Sequence, residues 1–155
     1  MATESLIIGG EHVAAAEGAT FDVIEPGTGS PMADVAEAGP EDARRAVDTA
    51  HRAFEEGPWP RTPATQRGRV LLKASTLLRE RLEDVATLEA RNAGKPIRDA
   101  RDEVGLVADV LEYWGGAANK IFGETVPVQD NGLDVTLREP VGVCALITPD
   151  RKSVV

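Results

Sequence analysis

Residues 137–149 read LREPVGVCALITP. A charged turn, Arg138-Glu139-Pro140, gives way to VGVCALIT at 141–148, an unbroken apolar run without a single charge. Runs of this kind form strands covered on both faces, as in the parallel sheets of α/β proteins, where helices pack above and below. A strand so apolar belongs in the interior of a sheet, with neighbours on both edges. The rest of the chain is read as what surrounds it.

Immediately upstream the apolar period is two. ETVPVQ at 124–129 and LDVTLRE at 133–139 flank Asp130-Asn131-Gly132, and Asn-Gly predicts a tight hairpin because both positions tolerate positive φ. A lone two-stranded ribbon is not stable in water. The alternating Val126, Val128, Leu133, Val135 and Leu137 therefore need a surface to cover, in this subunit or in a neighbour.

Between Gly39 and Gly123 the period is helical, and four helices are predicted. The first opens on Pro40, whose missing N–H costs nothing at a helix start, with Glu41 and Asp42 beside the positive end of the dipole. Ala43, Ala46, Val47, Ala50 and Phe54 make one apolar stripe to be buried, and Gly57-Pro58 ends the run. The second opens at Thr62-Pro63 and turns Val70, Leu71, Ala74, Leu77 and Leu78 inward. Its basic face, Arg67, Arg69, Lys73, Arg79 and Arg81, is read as a solvated face pairing locally with the acids of LEDVATLEAR. The third spans residues 82–93 and stops at Gly94 with Pro96 beyond. The fourth is the longest, with Ile97, Ala100, Val104, Val107, Leu111, Trp114, Ala118 and Ile121 on its packed face and Tyr113 and Trp114 as core and rim. Gly115-Gly116 within it calls for a close helix contact or a bend.

The first forty residues are short strand-like pieces separated by turns: LII, GGE, HVA, then TFDVIEP, GTGSP and MADVAEA. Gly27 and Gly29 could suggest a phosphate cradle, but no apolar strand feeds them and no helix follows, so a plain turn is expected. His51 has no His, Cys or carboxylate at metal-ligand spacing and reads as a histidine at the solvent edge.

The totals restrict function. At 155 residues the chain suits one domain. Lys plus Arg number 17 against 26 Asp plus Glu, a net charge of −9 that opposes nucleic acids and anionic membranes. No stretch approaches the ~20 apolar residues of a membrane helix. One cysteine, Cys144, allows no internal disulfide and fits a reducing, cytoplasmic setting.

Several strings, taken in order, resemble the amino-terminal part of the aldehyde dehydrogenase superfamily: IGGE, EPGTG, AVDTAHRAFEEGPWP, QRGRVLLKAS, NAGKPI, YWGGAANKIFGETVPV and LREPVGVCALITP. Each alone is weak, but their joint order over residues 6–149 is specific. The resemblance implies an α/β fold truncated to its opening part. Residues 1–123 would be the leading strands and helices of the cofactor domain, and 124–139 an oligomerisation arm hairpin. The first long strand of a Rossmann-like sheet would occupy 140–149, with 150–155 a tail outside the family pattern.

It also implies that the longer parent oxidises an aldehyde to a carboxylic acid with NAD or NADP, through a cysteine thioester. Family contacts to the cofactor carry over only to Ile147, Thr148 and Pro149, at the carboxyl end of the strand, where doubly wound sheets bind ligands. No catalytic residue and no metal ligand carries over. Where the family continues past Pro149 with an asparagine that stabilises the substrate oxyanion, this chain has Asp150-Arg151. Cys144 is not promoted to nucleophile, because it is expected inside a buried strand without a base. Some relatives hold a monovalent cation near the positions of Val23, Ile24 and Asn92, but an amide is a weaker ligand than an acid, and that site is not carried over.

The tail DRKSVV matches nothing in the family. Its codons can be written GAT CGG AAG AGC GTC GTG followed by TAG, the start of a widely used sequencing adapter, so an assembly artefact after Pro149 is expected, the alternatives being an ordinary frameshift or a true short paralogue. Resequencing the locus tests this, and a native stop after Val155 in clean reads removes the idea. Three functional readings follow: the opening portion of an aldehyde dehydrogenase, inactive as it stands and homo-oligomeric in its longer parent; a non-catalytic partner that docks its hairpin on full-length subunits; and a free-standing helical domain.

Overall fold

The computed structural model describes residues 3–129 and 131–147. Strands β2 (Leu6–Ile8) and β3 (Glu11–Val13) pair antiparallel, Leu6 opposite Val13 and Ile8 opposite Glu11, which leaves Gly9 and Gly10 as the whole loop. Both take positive φ, 66° and 85°, the twist a two-residue hairpin needs and side chains resist. Strand β1 (Thr3–Glu4) lies parallel to β5 (Ser30–Ala36), and β4 (Thr20–Glu25) pairs antiparallel on the other edge of β5. The GTGS segment is the β4–β5 turn, with the Thr28 and Gly29 amides donating to the Glu25 carbonyl at 3.2 and 2.8 Å. The plain-turn reading holds.

The four helices stand close to where the sequence puts them: α1 (Pro40–Glu55), α2 (Ala64–Glu80), α3 (Leu82–Ala93) and α4 (Ile97–Ala117), with one 3-10 turn at Trp59–Arg61. Gly94 closes α3 at φ 67°, and a Cβ there would lie 2.9 Å from the Pro26 side chain. At α2 the expected cap is corrected: Pro63 occupies the N-cap, and the Thr62 hydroxyl donates to the Pro58 carbonyl at 2.9 Å.

The core lies where α2, α3 and α4 meet, around Ala86, Ala100 and Val104 with Leu78, Leu82, Val85 and Ala90 against them. Gly68 of α2 faces Gly115 of α4 so closely that a Cβ on Gly68 would stand 2.4 Å from the Gly115 carbonyl oxygen. The Ser75 hydroxyl donates across the same seam to the Ala108 carbonyl at 2.8 Å. The close contact expected at Gly115-Gly116 is therefore made, by Gly115. Ala100 and Val104 are buried and Leu71, Leu78 and Leu111 half-buried, as expected; elsewhere the packing departs from expectation. Val70 and Leu77 of α2, and Val107 and Trp114 of α4, are exposed, while Gly68, Ser75, Ala100, Ala108 and Gly115 are buried. The closest approach is made along small side chains, which leaves Val70, Leu77, Val107 and Trp114 outside while Val104 and Leu78 still pack in the core.

Other expectations are corrected in the same sense. Ala43, Ala46, Val47 and Ala50 of α1 are exposed, and that helix buries only Asp42. Tyr113 and Trp114 are both exposed, stacked edge to face at 5.3 Å between ring centroids. Residues 141–147 belong to no hydrogen-bonded strand. Among the described residues nothing pairs with them, and Val141, Leu146 and Ile147 are 94%, 90% and 94% exposed. Cys144, expected in a buried strand, is exposed for the same reason.

The hairpin forms as β6 (Thr125–Val126) and β7 (Asp134–Val135), antiparallel, supported by mutual bonds between Glu124 and Thr136. Its connection runs over residues 127–133, with Asp130 outside the described residues, and Gly132 does not take positive φ.

A compact monomer of 16.5 kDa exposes about 7,500 Å². This chain exposes 11926 Å². Granting the eleven residues outside the described ones the largest area a chain can offer, about 1,700 Å², an excess of about 2,700 Å² remains.

Candidate functional site

The family-implied cofactor contacts are Ile147, Thr148 and Pro149. Ile147 is almost fully exposed at the end of the described chain, and Thr148 and Pro149 lie outside the described residues. Among the described residues no dinucleotide cradle forms around Ile147. The one glycine-rich turn that could have offered one, at Gly27 and Gly29, joins two antiparallel strands instead. The described residues thus do not fit a nicotinamide cofactor by themselves.

Beside the root of the same segment is a cleft of about 690 Å³ lined by Phe54, Trp59, Arg67, Ile121, Arg138 and Glu139, among others. Its wall is set by the turn after α1 and the start of α2. Arg67 is held against the cleft by donating to the Thr62 carbonyl at 2.5 Å. A second, more open depression of about 670 Å³ runs along α1 and β2–β3 and includes the exposed His51. No general base stands near Cys144: its Sγ lies 3.8 Å from the Gly142 carbonyl, and no described histidine or carboxylate is bonded to it. Among the described residues no group of three or more His, Cys, Asp or Glu could hold a metal ion, and no helix is long and apolar enough to cross a membrane.

The electrostatics of the chain serve its scaffold. Asp42, 2% exposed, accepts the Ala16 N–H at 3.2 and 3.1 Å and the Gly39 N–H at 3.1 Å, with Arg45 at 3.5 Å. Those backbone donors, Ala16 first, hold its carboxyl below the usual range. Its sequence position advertises only a favourable charge in the first helical turn; the strand-to-helix bridge it builds to Ala16 has no local signal. Arg91 of α3 donates from Nε and Nη2 to the two carboxylate oxygens of Glu25 of β4, at 3.2 and 2.9 Å, and lowers the Glu25 pKa. On the basic face of α2, Arg79 pairs with Asp109 and Glu112 of α4 at 2.6 and 3.0 Å. The local partners expected for it in LEDVATLEAR are not used; Glu83 from that stretch binds Arg101 of α4 instead. Lys95, in the α3–α4 link, is nearly buried between Glu89, at 2.7 Å, and Glu103. These are tethers between elements, and of the residues they join only Arg45 lines either cleft, the one along α1.

Residues 12–149 match the aldehyde dehydrogenase family model. The chain is 40% identical over 147 residues to the mitochondrial benzaldehyde dehydrogenase of Antirrhinum majus, covering 94% of this chain and 28% of that protein. It is 42% identical over 145 residues to the mitochondrial aldehyde dehydrogenase family 2 member B4 of Arabidopsis thaliana, covering 93% of this chain and 27% of that protein. Among solved structures, a variant aldehyde dehydrogenase from Bacillus cereus superposes with a TM-score of 0.86 at 36% identity, over 90% of this chain and 29% of that one. PnpE in complex with nicotinamide adenine dinucleotide gives 0.83 at 41% identity, over 89% and 28%. The chain thus spans under a third of the length of each of these relatives. With a family model matched over residues 12–149 and relatives 40–42% identical over more than nine-tenths of its length, the chain belongs to the aldehyde dehydrogenase family.

Proposed function

We propose that these residues are the opening portion of an NAD(P)-dependent aldehyde dehydrogenase, whose longer chain oxidises an aldehyde to a carboxylic acid through a cysteine thioester. The observation that carries this reading is the coincidence of a family match over residues 12–149 with about 2,700 Å² of excess surface. The uncovered face is apolar: Val107, Val110 and Trp114 on α4, Val47 on α1, and residues 141–147. That is the surface a larger fold of this family would fill. In this reading residues 1–123 carry the leading strands and helices of the cofactor domain, 124–139 the arm that joins subunits into a homo-oligomer, and 140–149 the first long sheet strand. Ile147, Thr148 and Pro149 would line the NAD or NADP site once neighbouring strands fix them. A reducing compartment, the cytoplasm in our proposal, suits a chain with one cysteine.

Among the described residues no nucleophile has a base beside it and no cofactor cradle is formed. Purified alone and mixed with benzaldehyde and NAD or NADP, it is expected to give no formation of reduced cofactor above the protein-free rate. Turnover that scales with protein concentration overturns the reading. A second reading is favoured by the hairpin, where Leu133 and Leu137 lie open to solvent: the chain acts as a non-catalytic partner and docks this ribbon on full-length subunits by strand addition. Co-purification with a full-length homologue, abolished by Val135→Pro, is its test.

A further inference from the structure

We infer that Asn131 and Gly132, in the connection between β6 and β7, are a site of spontaneous modification: the Gly132 nitrogen closes on the Asn131 side chain, expels ammonia and leaves aspartate and isoaspartate. The chain has three asparagines, Asn92, Asn119 and Asn131. Ring closure at any of them requires the backbone nitrogen of the next residue to reach the side-chain carbonyl carbon. Asn92 lies in α3, where each amide is bonded to a carbonyl one turn back. Asn119 is held twice: the Lys120 amide donates to the Ala117 carbonyl at 2.8 Å, and the Lys120 ammonium donates to Asn119 Oδ1 at 3.4 Å. Among the described residues neither the Asn131 side chain nor the Gly132 amide has a hydrogen-bond partner, and both residues are exposed. The ladder rung nearest to them is Val126 opposite Asp134, so no strand pairing fixes the backbone where the ring must form. Gly132 has no Cβ to obstruct the approach, and its backbone reaches unusual angles at little cost.

The chemistry needs only water. Hydroxide takes the Gly132 amide proton, the nitrogen forms a bond to Asn131 Cγ, and the Cγ–NH2 bond breaks as ammonia leaves with a proton from water. The product is a cyclic imide. Water then opens it at one of two carbonyls. Cleavage between Cγ and the nitrogen restores the main chain with aspartate at 131. Cleavage at the main-chain carbonyl gives isoaspartate, whose backbone runs through Cβ and Cγ and is longer by a methylene. In total one water is consumed and one ammonia released. Either product adds a negative charge to a chain already at −9, between Asp130 and Asp134 in sequence, where like charges repel. The imide chemistry at Asn131 and the proposed aldehyde oxidation share no residue, so either can fail without the other.

The purified polypeptide, incubated in warm, mildly alkaline buffer, can be mapped by mass spectrometry with electron-transfer fragmentation, which separates aspartate from isoaspartate. Asn131 should convert to both while Asn92 and Asn119 remain intact. Gly132→Ala should slow the conversion at least severalfold, because a Cβ hinders the attacking nitrogen. Its helical circular dichroism should match the parent: Gly132 has no positive φ, and an added Cβ would meet only Val128 Cγ2, at 3.4 Å. Asn131→Gln should abolish the reaction over the same period, since its longer side chain would have to close a larger ring. An Asn131 that converts no faster than Asn92 and Asn119 overturns the inference. So does a rate indifferent to Gly132→Ala, or a product of aspartate alone, which would mean direct hydrolysis of the side chain without the ring.

Discussion

Asp42 shows what one side chain contributes to the assembly of this chain. Its carboxylate ends the loop from β3 by accepting the Ala16 amide and starts α1 by accepting the Gly39 amide. Its folded pKa lies below the usual value near 3.8, so the carboxylate binds fewer protons in the folded state than in the unfolded one. The stabilisation is therefore complete above the ordinary carboxylate range and is lost as pH falls through that range towards the lowered folded value. Asp42→Asn keeps the shape and removes the charge. It should melt several degrees below the parent at neutral pH, and the gap between the two should close in acid, as a pair of thermal melts across pH would show. A gap independent of pH would mean that shape, not charge, holds this junction. Glu25, held down by Arg91, adds to acid sensitivity in the same direction.

At the scale of elements, the α2–α4 seam decides how the helices pack. Gly68 has no room for a methyl group against the Gly115 carbonyl, whereas a Cβ added at Gly116, one residue along α4, would meet nothing within 4 Å. Two substitutions of identical chemistry should therefore have opposite signs. Gly68→Ala forces the helices apart and should cost about 1–3 kcal/mol. Gly116→Ala gains helix propensity and should stabilise by up to about 1 kcal/mol. Denaturant unfolding of the two proteins checks both. Equal effects would mean that the seam is looser than its geometry indicates.

The whole molecule is organised by what it leaves uncovered. A well-made seam between α2, α3 and α4 is joined to an α1 stripe, an α4 stripe and a terminal segment, all apolar and all facing water. Patches of this extent bind hydrophobic dyes. The purified polypeptide should raise the fluorescence of anilinonaphthalene sulfonate strongly while keeping a helical circular dichroism spectrum. Trp59 and Trp114, each about half exposed, should both be open to quenching by acrylamide. Weak dye binding together with shielded tryptophans would show that another arrangement of the chain covers these faces.

The sequence by itself determined the elements of this protein. Proline and glycine placement bounded α1, the start of α2, the end of α3 and the start of α4 because those residues act locally, through a missing N–H or an allowed positive φ, and the paired glycines at Gly9 and Gly10 set the first hairpin in the same way. The family could be read from ordered strings spanning residues 6–149. Which face of each helix is buried was decided only by the tertiary structure. Hydrophobic periodicity marked Ala100 and Val104, which are buried, but it also marked Val70, Leu77, Val107 and Trp114, which are exposed, and it missed the small residues Gly68, Ser75, Ala108 and Gly115 that close packing selected. Long-range bonds such as Asp42 to Ala16 and Arg91 to Glu25 likewise depend on partners that sequence spacing does not bring together. The apolar run at 141–147 announces a buried strand, but burial takes two partners, and the described chain supplies only one of them.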